Sequence, residues 1–106
     1  MAQSTTNRPE RTVDTDTALS LLSDEYSREI LDVLTDGPAT ANELVEHCSA
    51  SRVTIYRRLN SLEDAGLVRS RTKLRGDGNH CAVYRSTVET VRISLTDDGL
   101  EVEFGC

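Results

Sequence analysis

The chain of 106 residues is long enough for one domain with a modest hydrophobic core. No apolar run approaches the about 18 residues that a membrane-spanning helix requires, and the opening stretch MAQSTTNRPERTVDTDT is polar, so we expect a cytoplasmic protein without a membrane anchor or a signal peptide. The 18 acidic residues outnumber the 12 basic ones, and a net charge of −6 ordinarily argues against a nucleic-acid partner.

The charge is distributed unevenly along the chain. Residues 1–50 contain three arginines and ten acidic residues, a net charge of −7, and residues 87–106 contain one arginine and five acidic residues, a net charge of −4. Residues 51–86 contain seven arginines, Lys73 and three acidic residues, a net charge of +5. A basic block inside an otherwise acidic chain is typical of a surface that binds phosphate groups.

Residues 1–14 are rich in Ser, Thr, Asn and charge, and they show no apolar periodicity. We therefore predict a disordered tail over this range. A basic arm that enters a DNA minor groove through Arg8 and Arg11 is the alternative, although Glu10 and Asp14 dilute its charge.

Two helices are predicted before the first glycine. The leucines that follow Asp16 form a short apolar helix, and Asp24 or Ser23 caps a second helix with an amphipathic pattern. Gly37 and Pro38 end this second helix, because glycine suits a C-terminal cap and proline cannot continue a helix.

The central part of the chain predicts two further helices joined by a tight turn. Thr40 caps the first, because Glu43 lies three residues later and can reach back to the cap amide. The second runs from Ser51 to Ala65, with Ser51 as its cap and Gly66 in a left-handed conformation at its end. Its core-facing residues are Ile55, Leu59 and Leu62. A short helix, a turn and a second helix with cationic outward residues is the geometry that enters a DNA major groove.

After the helices the pattern changes to period two. The segment RSRTKLRGDGNHCAVYRS predicts two strands joined by a turn around Gly76–Asn79. Four cations alternate along the first strand, so they project from one face: Arg69, Arg71, Lys73 and Arg75. We expect this row to lie along the phosphate backbone, and a solvated strand face is the alternative.

Residues 88–104 predict a second hairpin with one apolar face. The alternating apolar residues are Val91, Ile93 and Leu95 in its first strand and Leu100, Val102 and Phe104 in its second. A two-stranded hairpin with an apolar face is not stable alone in water, so it must cover either the core of its own domain or a partner subunit. We favour the partner, because a protein that binds paired half-sites needs a two-fold axis.

Three segments share a family resemblance: TANEL at residues 40–44, SRVTIYRRLNSLEDAGLV at residues 51–68 and the charged hairpin that follows. They resemble the winged helix-turn-helix regulators of the ArsR and MarR-like type, in their small haloarchaeal version. The most specific part runs from the serine cap through TIYRRL to the LxxAGLV ending, and the likeness covers roughly residues 18–86. It implies an α+β fold of three to four helices with a β-hairpin wing at residues 15–86. The additional C-terminal β-hairpin at residues 87–106 is predicted from its own alternation and differs from the shortest members of this family.

The same resemblance implies a sequence-specific, double-stranded DNA-binding transcription regulator that acts as a homodimer. Occupancy of a promoter would block or recruit the transcription machinery. In similar proteins the first helix often packs against a second subunit, and completion of the core is the alternative role for it here.

The candidate DNA contacts are the helix caps, the outward residues of the second central helix and the cations of the wing. They are Thr40, Ser51, Arg52, Thr54, Tyr56, Arg57, Asn60, Arg69, Arg71, Lys73 and Arg75. Arginine can pair with guanine and asparagine with adenine, while Tyr56 and Thr54 suit phosphate oxygens or a thymine methyl group. Thr40 and the amides at the start of its helix suit a phosphate. Arg58 is expected on the core side, reaching a phosphate or a neighbouring carboxylate.

The cysteines and histidines form two adjacent pairs, His47–Cys48 and His80–Cys81, with Cys106 at the end of the chain. A regulator gated by a metal or an oxidant is therefore an alternative. No CxxC or CxC spacing is present, and adjacent His and Cys side chains rarely converge on one ion, so we predict no metal site and no cofactor. We expect Cys48 to fill the tight turn as a small apolar residue.

Other functional classes receive less support from the sequence. A phosphate-binding glycine loop, a nucleophile with a paired base and a carboxylate dyad are all missing from it, so we predict that the protein is not an enzyme. A winged-helix adaptor that binds another protein and never DNA is the rival from a different class. The net acidity favours this adaptor, and the local basic block disfavours it.

Lys73 is the single lysine beside eleven arginines in an acid-rich chain. This resembles the composition of proteins from organisms with molar cytoplasmic salt. High salt weakens the affinity gained by counterion release, so specific hydrogen bonds and shape would contribute more of the binding.

Overall fold

A computed structural model describes residues 11–12, 14–74 and 80–105 of the chain. The helices are α1 (Thr15–Ser23), α2 (Glu25–Asp36), α3 (Ala41–His47) and α4 (Arg52–Asp64). The strands are β1 (Arg11–Thr12), β2 (Ala39–Thr40), β3 (Val68–Leu74), β4 (His80–Ser86), β5 (Thr90–Thr96) and β6 (Gly99–Gly105). The α+β class and the C-terminal hairpin are as predicted.

Each helix begins at a polar side chain that accepts a hydrogen bond from an amide of its first turn. The capping residues are Asp14, Asp24, Thr40 and Ser51. At α3 the capping box predicted from the sequence is complete, because Thr40 Oγ1 accepts from the Glu43 amide at 3.2 Å and the Thr40 amide donates to the Glu43 carboxylate at 2.8 Å. Gly66 follows α4 with a φ of +82°, the left-handed conformation expected there.

The core lies between the helices and strands β2, β3 and β6, which contribute Ala39, Val68, Val102 and Phe104. Ile55, Leu59 and Leu62 of α4 are fully buried, as predicted from their spacing. They pack with Ile30 of α2 and Leu44 of α3, so α2 and α3 support the helix that carries the candidate contacts. Burial of such side chains contributes about 1.5–3 kcal/mol each to folding.

The first sheet has the strand order β2-β4-β3 and forms the wing. A hairpin of β3 and β4 was predicted, and the structure adds β2, in which Ala39 pairs with Tyr84 and Thr40 with Val83. This short strand directly precedes α3 and therefore ties the wing to the start of the helix-turn-helix. The predicted turn around Gly76–Asn79 lies outside the described residues, as does Arg75.

The second sheet has the strand order β1-β6-β5. This sheet corrects the C-terminal end of the predicted disordered tail, because Arg11 and Thr12 pair with Phe104 and Glu103 of β6. Asp14 likewise caps α1 by accepting a hydrogen bond from the Thr17 amide at 3.1 Å. Backbone pairing with a strand some 90 residues away leaves no local pattern in the sequence, which is why periodicity missed it.

β5 and β6 are joined by the two-residue turn at Asp97 and Asp98, followed by Gly99 with a φ of +114°. β6 packs against α1 through the buried side chains Val102 and Phe104, so the hairpin covers part of the protein's own core. Within the described residues, no helix is long and apolar enough to cross a membrane.

Candidate nucleic-acid interface

The side of α4 opposite to its core face is open to solvent. Val53 is 65% exposed and Tyr56 is 44% exposed, fractions that are high for large apolar side chains of a structured helix. The polar residues of the same side are also exposed: Arg52, Arg57 and Asn60. Of the outward residues predicted from the sequence, Arg52, Tyr56, Arg57 and Asn60 are thus accessible, whereas Thr54 is half-buried.

The turn before α4 is fixed by a carboxylate from α2. Glu29 accepts hydrogen bonds from the Ser49 amide at 3.0 Å and from the Ser49 hydroxyl at 3.0 and 3.1 Å. Cys48 and Ala50 on either side are buried, so Cys48 fills the turn as expected. Burial raises the pKa of the Cys48 thiol, and the nearby Glu29 raises it further. No local pattern indicates the role of Glu29, because this residue lies 20 residues before its partner Ser49.

The middle of α4 is held by an ion pair with the start of α2. Arg58 Nε donates to Asp24 Oδ2 at 2.8 Å, and its guanidinium carbon lies 5.9 Å from the centroid of the Tyr26 ring. Asp24 also accepts from the Ser27 amide at 2.7 Å as the cap of α2. The Arg58 hydrogen bond lowers the pKa of Asp24 to about 2. The expectation that Arg58 reaches a neighbouring carboxylate is confirmed, and this arginine is structural.

The wing presents its cations on one face. In the antiparallel pair of β3 and β4, Arg69 lies opposite Arg85, Arg71 opposite Val83 and Lys73 opposite Cys81. Directly opposite residues share a face of the sheet. We use the term cationic face for the exposed side chains of Arg69, Arg71, Lys73 and Arg85. Three of its members also line a shallow recess with Pro38 and Val83: Arg71, Lys73 and Arg85.

Arg85 is a member of this face that sequence analysis did not select. The alternation along the first strand predicts only the cations of that strand, and Arg85 belongs to the second strand. Its position follows from the register that pairs Arg69 with Arg85. A hairpin register drawn from both strands would have found it.

A hydrogen-bonded carboxylate connects the wing to α4. Glu63, in the last turn of α4, accepts from the Ser70 hydroxyl at 2.7 Å and from the Ser70 amide at 3.3 Å. Tyr84 lies close by on the same side of the sheet, and its pKa is raised by burial first and then by Tyr56 and Glu63. These contacts fix the direction of β3 relative to the exposed side of α4.

Most cations of the basic block are free of carboxylate partners. Within the described part of the chain, Arg58 forms an ion pair with Asp24, while no ion pair involves Arg57 or the four members of the cationic face. Arg52 donates to the Asn42 side chain of α3, a neutral partner. Among the described residues of this block, the positive charges of Arg57 and of the cationic face therefore remain available to an external anion.

Besides Arg52, three predicted contacts are engaged within the chain: Thr40, Ser51 and Thr54. The amide and the hydroxyl of Thr40 are both occupied by the Glu43 side chain, whose negative charge also opposes a phosphate at this helix start. Ser51 Oγ accepts from the Thr54 amide at 3.2 Å and donates to the Thr54 hydroxyl at 3.1 Å. We therefore leave Thr40 out of the contacts proposed below.

The histidine–cysteine pairs are separated by the fold. His47 bonds through Nδ1 to the Glu43 carbonyl oxygen at 2.8 Å, and Cys48 is buried in the turn before α4. Cys81 is half-buried on the wing. Among the described residues, no group of three or more His, Cys, Asp or Glu side chains is arranged to hold a metal ion.

Comparisons with known proteins agree with the helix-turn-helix arrangement of α3 and α4. Residues 22–71 match the model of a family described as a helix-turn-helix domain. Over 63 residues the chain is 41% identical to the arsenical resistance operon repressor of Staphylococcus aureus, an alignment that covers 59% of this chain and 57% of the repressor. A crystal structure described as "Possible transcriptional regulator for arsenical resistance" matches with a TM-score of 0.55 and 34% identity, covering 64% of this chain and 66% of that one. The chain thus spans less than two thirds of either relative.

Proposed function

We propose that this chain, a winged helix-turn-helix protein of the ArsR-like type, regulates transcription by binding double-stranded DNA as a homodimer. The observation that carries the proposal is the pair of accessible surfaces built around α4: its outward polar side chains and the cationic face of the wing. Both surfaces are positive in a chain whose net charge is −6.

In the proposed complex α4 is the recognition helix and lies in the major groove. We assign Arg57 to guanine and Asn60 to adenine in this complex, and the exposure of both side chains on the same side of the helix supports the assignment. Tyr56 adds an exposed ring with a hydroxyl that suits a phosphate oxygen or a base edge. Arg58 does not take part, since it holds α4 against α2.

The cationic face of the wing contacts the adjacent phosphate backbone. Same-face residues of a strand recur about every 6.6 Å, so Arg69, Arg71 and Lys73 follow the backbone as a row. Arg85 widens this row across β4. Such contacts position the protein and contribute affinity without selecting a sequence.

A homodimer places two recognition helices on two half-sites, one helical turn of DNA or a multiple apart. Occupancy of a promoter then blocks or recruits the transcription machinery. We further propose function in a cytoplasm of molar salt, which the abundance of acidic residues and the single lysine beside eleven arginines support. Under such conditions base contacts from α4 matter more than counterion release from the wing.

A protein-interaction adaptor is the second candidate, because the net acidity and the exposed Val53 also suit a protein partner. A gel-shift series against fragments of the source genome, at high potassium, separates the two functions. A regulator retards one or a few fragments at concentrations that leave the others free. An adaptor retards none, or all equally weakly, and that result would contradict the proposal.

A further inference from the structure

The C-terminal hairpin leaves apolar side chains uncovered. Its register pairs are Val91 with Phe104, Ile93 with Val102 and Leu95 with Leu100. Because opposite residues share a face, all six lie on one side of the hairpin. Phe104 and Val102 are buried at 1% and 4% exposure, but the remaining four are open to solvent: Val91 at 41%, Ile93 at 52%, Leu95 at 85% and Leu100 at 38%. We call these four the apolar strip.

The strip carries no charged side chain. The charged residues of β5 and β6 alternate with it on the opposite face, where Arg92 pairs with Glu103 at 3.4 Å. In the described sheet, β5 is also an outer strand, and its seven residues include neither proline nor lysine, which commonly protect strand edges from pairing. A continuous apolar surface of this kind marks an interaction site.

We infer that the apolar strip is the surface on which a second copy of this chain docks, the two strips packing face to face across a two-fold axis. The inference rests on the proposed function, which requires two recognition helices related by such an axis. A two-fold interface must be complementary to itself, and an uncharged strip meets that condition. Two chains of net charge −6 repel each other wherever carboxylates face carboxylates, so they associate best through a patch without charge.

Among the described residues, no element covers the strip. β1 joins the sheet beside β6, at the edge opposite to β5. Continuity also favours a subunit contact, because the strip extends directly from Val102 and Phe104, which pack against α1.

Sedimentation of the full chain over a concentration series tests this interface. Leu95→Lys places a charge in the strip, and Ser94→Lys makes the same change in charge on the opposite face of β5, beside Glu101. Leu95 is 85% exposed, so its replacement leaves the fold intact, which circular dichroism verifies. A milder variant, Leu95→Ser, removes the apolar contact without adding charge.

We expect the wild type and Ser94→Lys to sediment at twice the 11.7 kDa chain mass, with dissociation constants within about twofold of each other. Leu95→Lys should raise the dissociation constant by about tenfold or more, and Leu95→Ser should raise it less. A wild-type monomer at the highest concentration reached would overturn the inference and leave a different protein as occupant. A dimer equally tight in Leu95→Lys and Ser94→Lys would also overturn it.

DNA binding distinguishes failure of the interface from failure of the function. If the wild-type dimer is unaffected by Leu95→Lys while both proteins prefer the same genomic fragment, the function stands and the interface is wrong. If Leu95→Lys disrupts the dimer but the wild type prefers no fragment, the interface stands and the DNA-binding function is wrong.

Discussion

Arg69 and Arg85 lie directly opposite each other in the wing, and both side chains are exposed. Like charges at directly opposite positions destabilise an antiparallel pair. Within the described residues neither guanidinium has a carboxylate partner that would offset this repulsion. A phosphate placed between or beside the two guanidinium groups would offset the repulsion. The pair is therefore better suited to the DNA-bound state than to the free protein.

Arg85→Thr is expected to separate stability from binding. The free energy of unfolding should rise by about 0.2–1 kcal/mol, because the cross-strand repulsion is removed and threonine suits a strand. Duplex affinity should fall for all sequences alike, and the slope of log K against log salt should become smaller in magnitude by about 0.9. Chemical denaturation and fluorescence anisotropy measure the two effects.

Arg92→Thr is the matched control, because Arg92 is an exposed arginine of a strand in the other sheet. It should leave duplex affinity and salt slope unchanged. An equal loss of affinity in the two variants would show that total charge, rather than the cationic face, governs binding.

Asp24→Asn tests the ion pair that holds α4. At neutral pH the substitution should cost about 1–2 kcal/mol of unfolding free energy, less than the full pKa shift implies, because solvent screens this partly exposed pair. The folded-state pKa of Asp24, about 2, lies below its ordinary value of 3.8, so the stabilisation is present above pH 4. It should disappear as the pH falls from about 4 to 2, and there the two proteins should converge in stability. A difference that is constant from pH 7 to pH 2 would exclude ionised Asp24 as its source.

Glu63→Ala tests whether the contact between α4 and the wing matters for binding. Removal of a negative charge next to the cationic face should by itself strengthen binding to DNA. Loss of the two hydrogen bonds to Ser70 should instead leave the wing less well positioned and weaken it. We expect the second effect to dominate, with affinity reduced severalfold. Asp64→Ala removes the same charge from an exposed neighbour and provides the control; a gain in affinity from both variants would contradict a positioning role for Glu63.

The helix-turn-helix could be predicted from the sequence because its signals are local. The helix ends are set by residues close in sequence: Thr40 with Glu43 and Ser51 cap helix starts, and Gly66 ends α4. The buried face of α4 follows from the spacing of Ile55, Leu59 and Leu62.

The two short strands, the full cationic face and the supporting carboxylates could not be predicted, because they depend on strand register and on partners distant in the chain. β1 and β2 are two residues long, too short for a period to be visible, and each pairs with a strand more than 40 residues away. Arg85 joined the cationic face only through the pairing of β3 with β4. The carboxylates of Glu29 and Glu63 support the site through Ser49 and Ser70, and neither contact has a sequence signature.

The most direct measurement compares Arg57→Ala and Arg71→Ala on a preferred genomic duplex and on a random duplex at the same potassium concentration. Arg57 belongs to the recognition helix and Arg71 to the cationic face. We predict that Arg57→Ala costs about 1–3 kcal/mol on the preferred duplex and much less on the random one, while Arg71→Ala weakens both equally. Equal losses from Arg57→Ala on the two duplexes would contradict base recognition by α4.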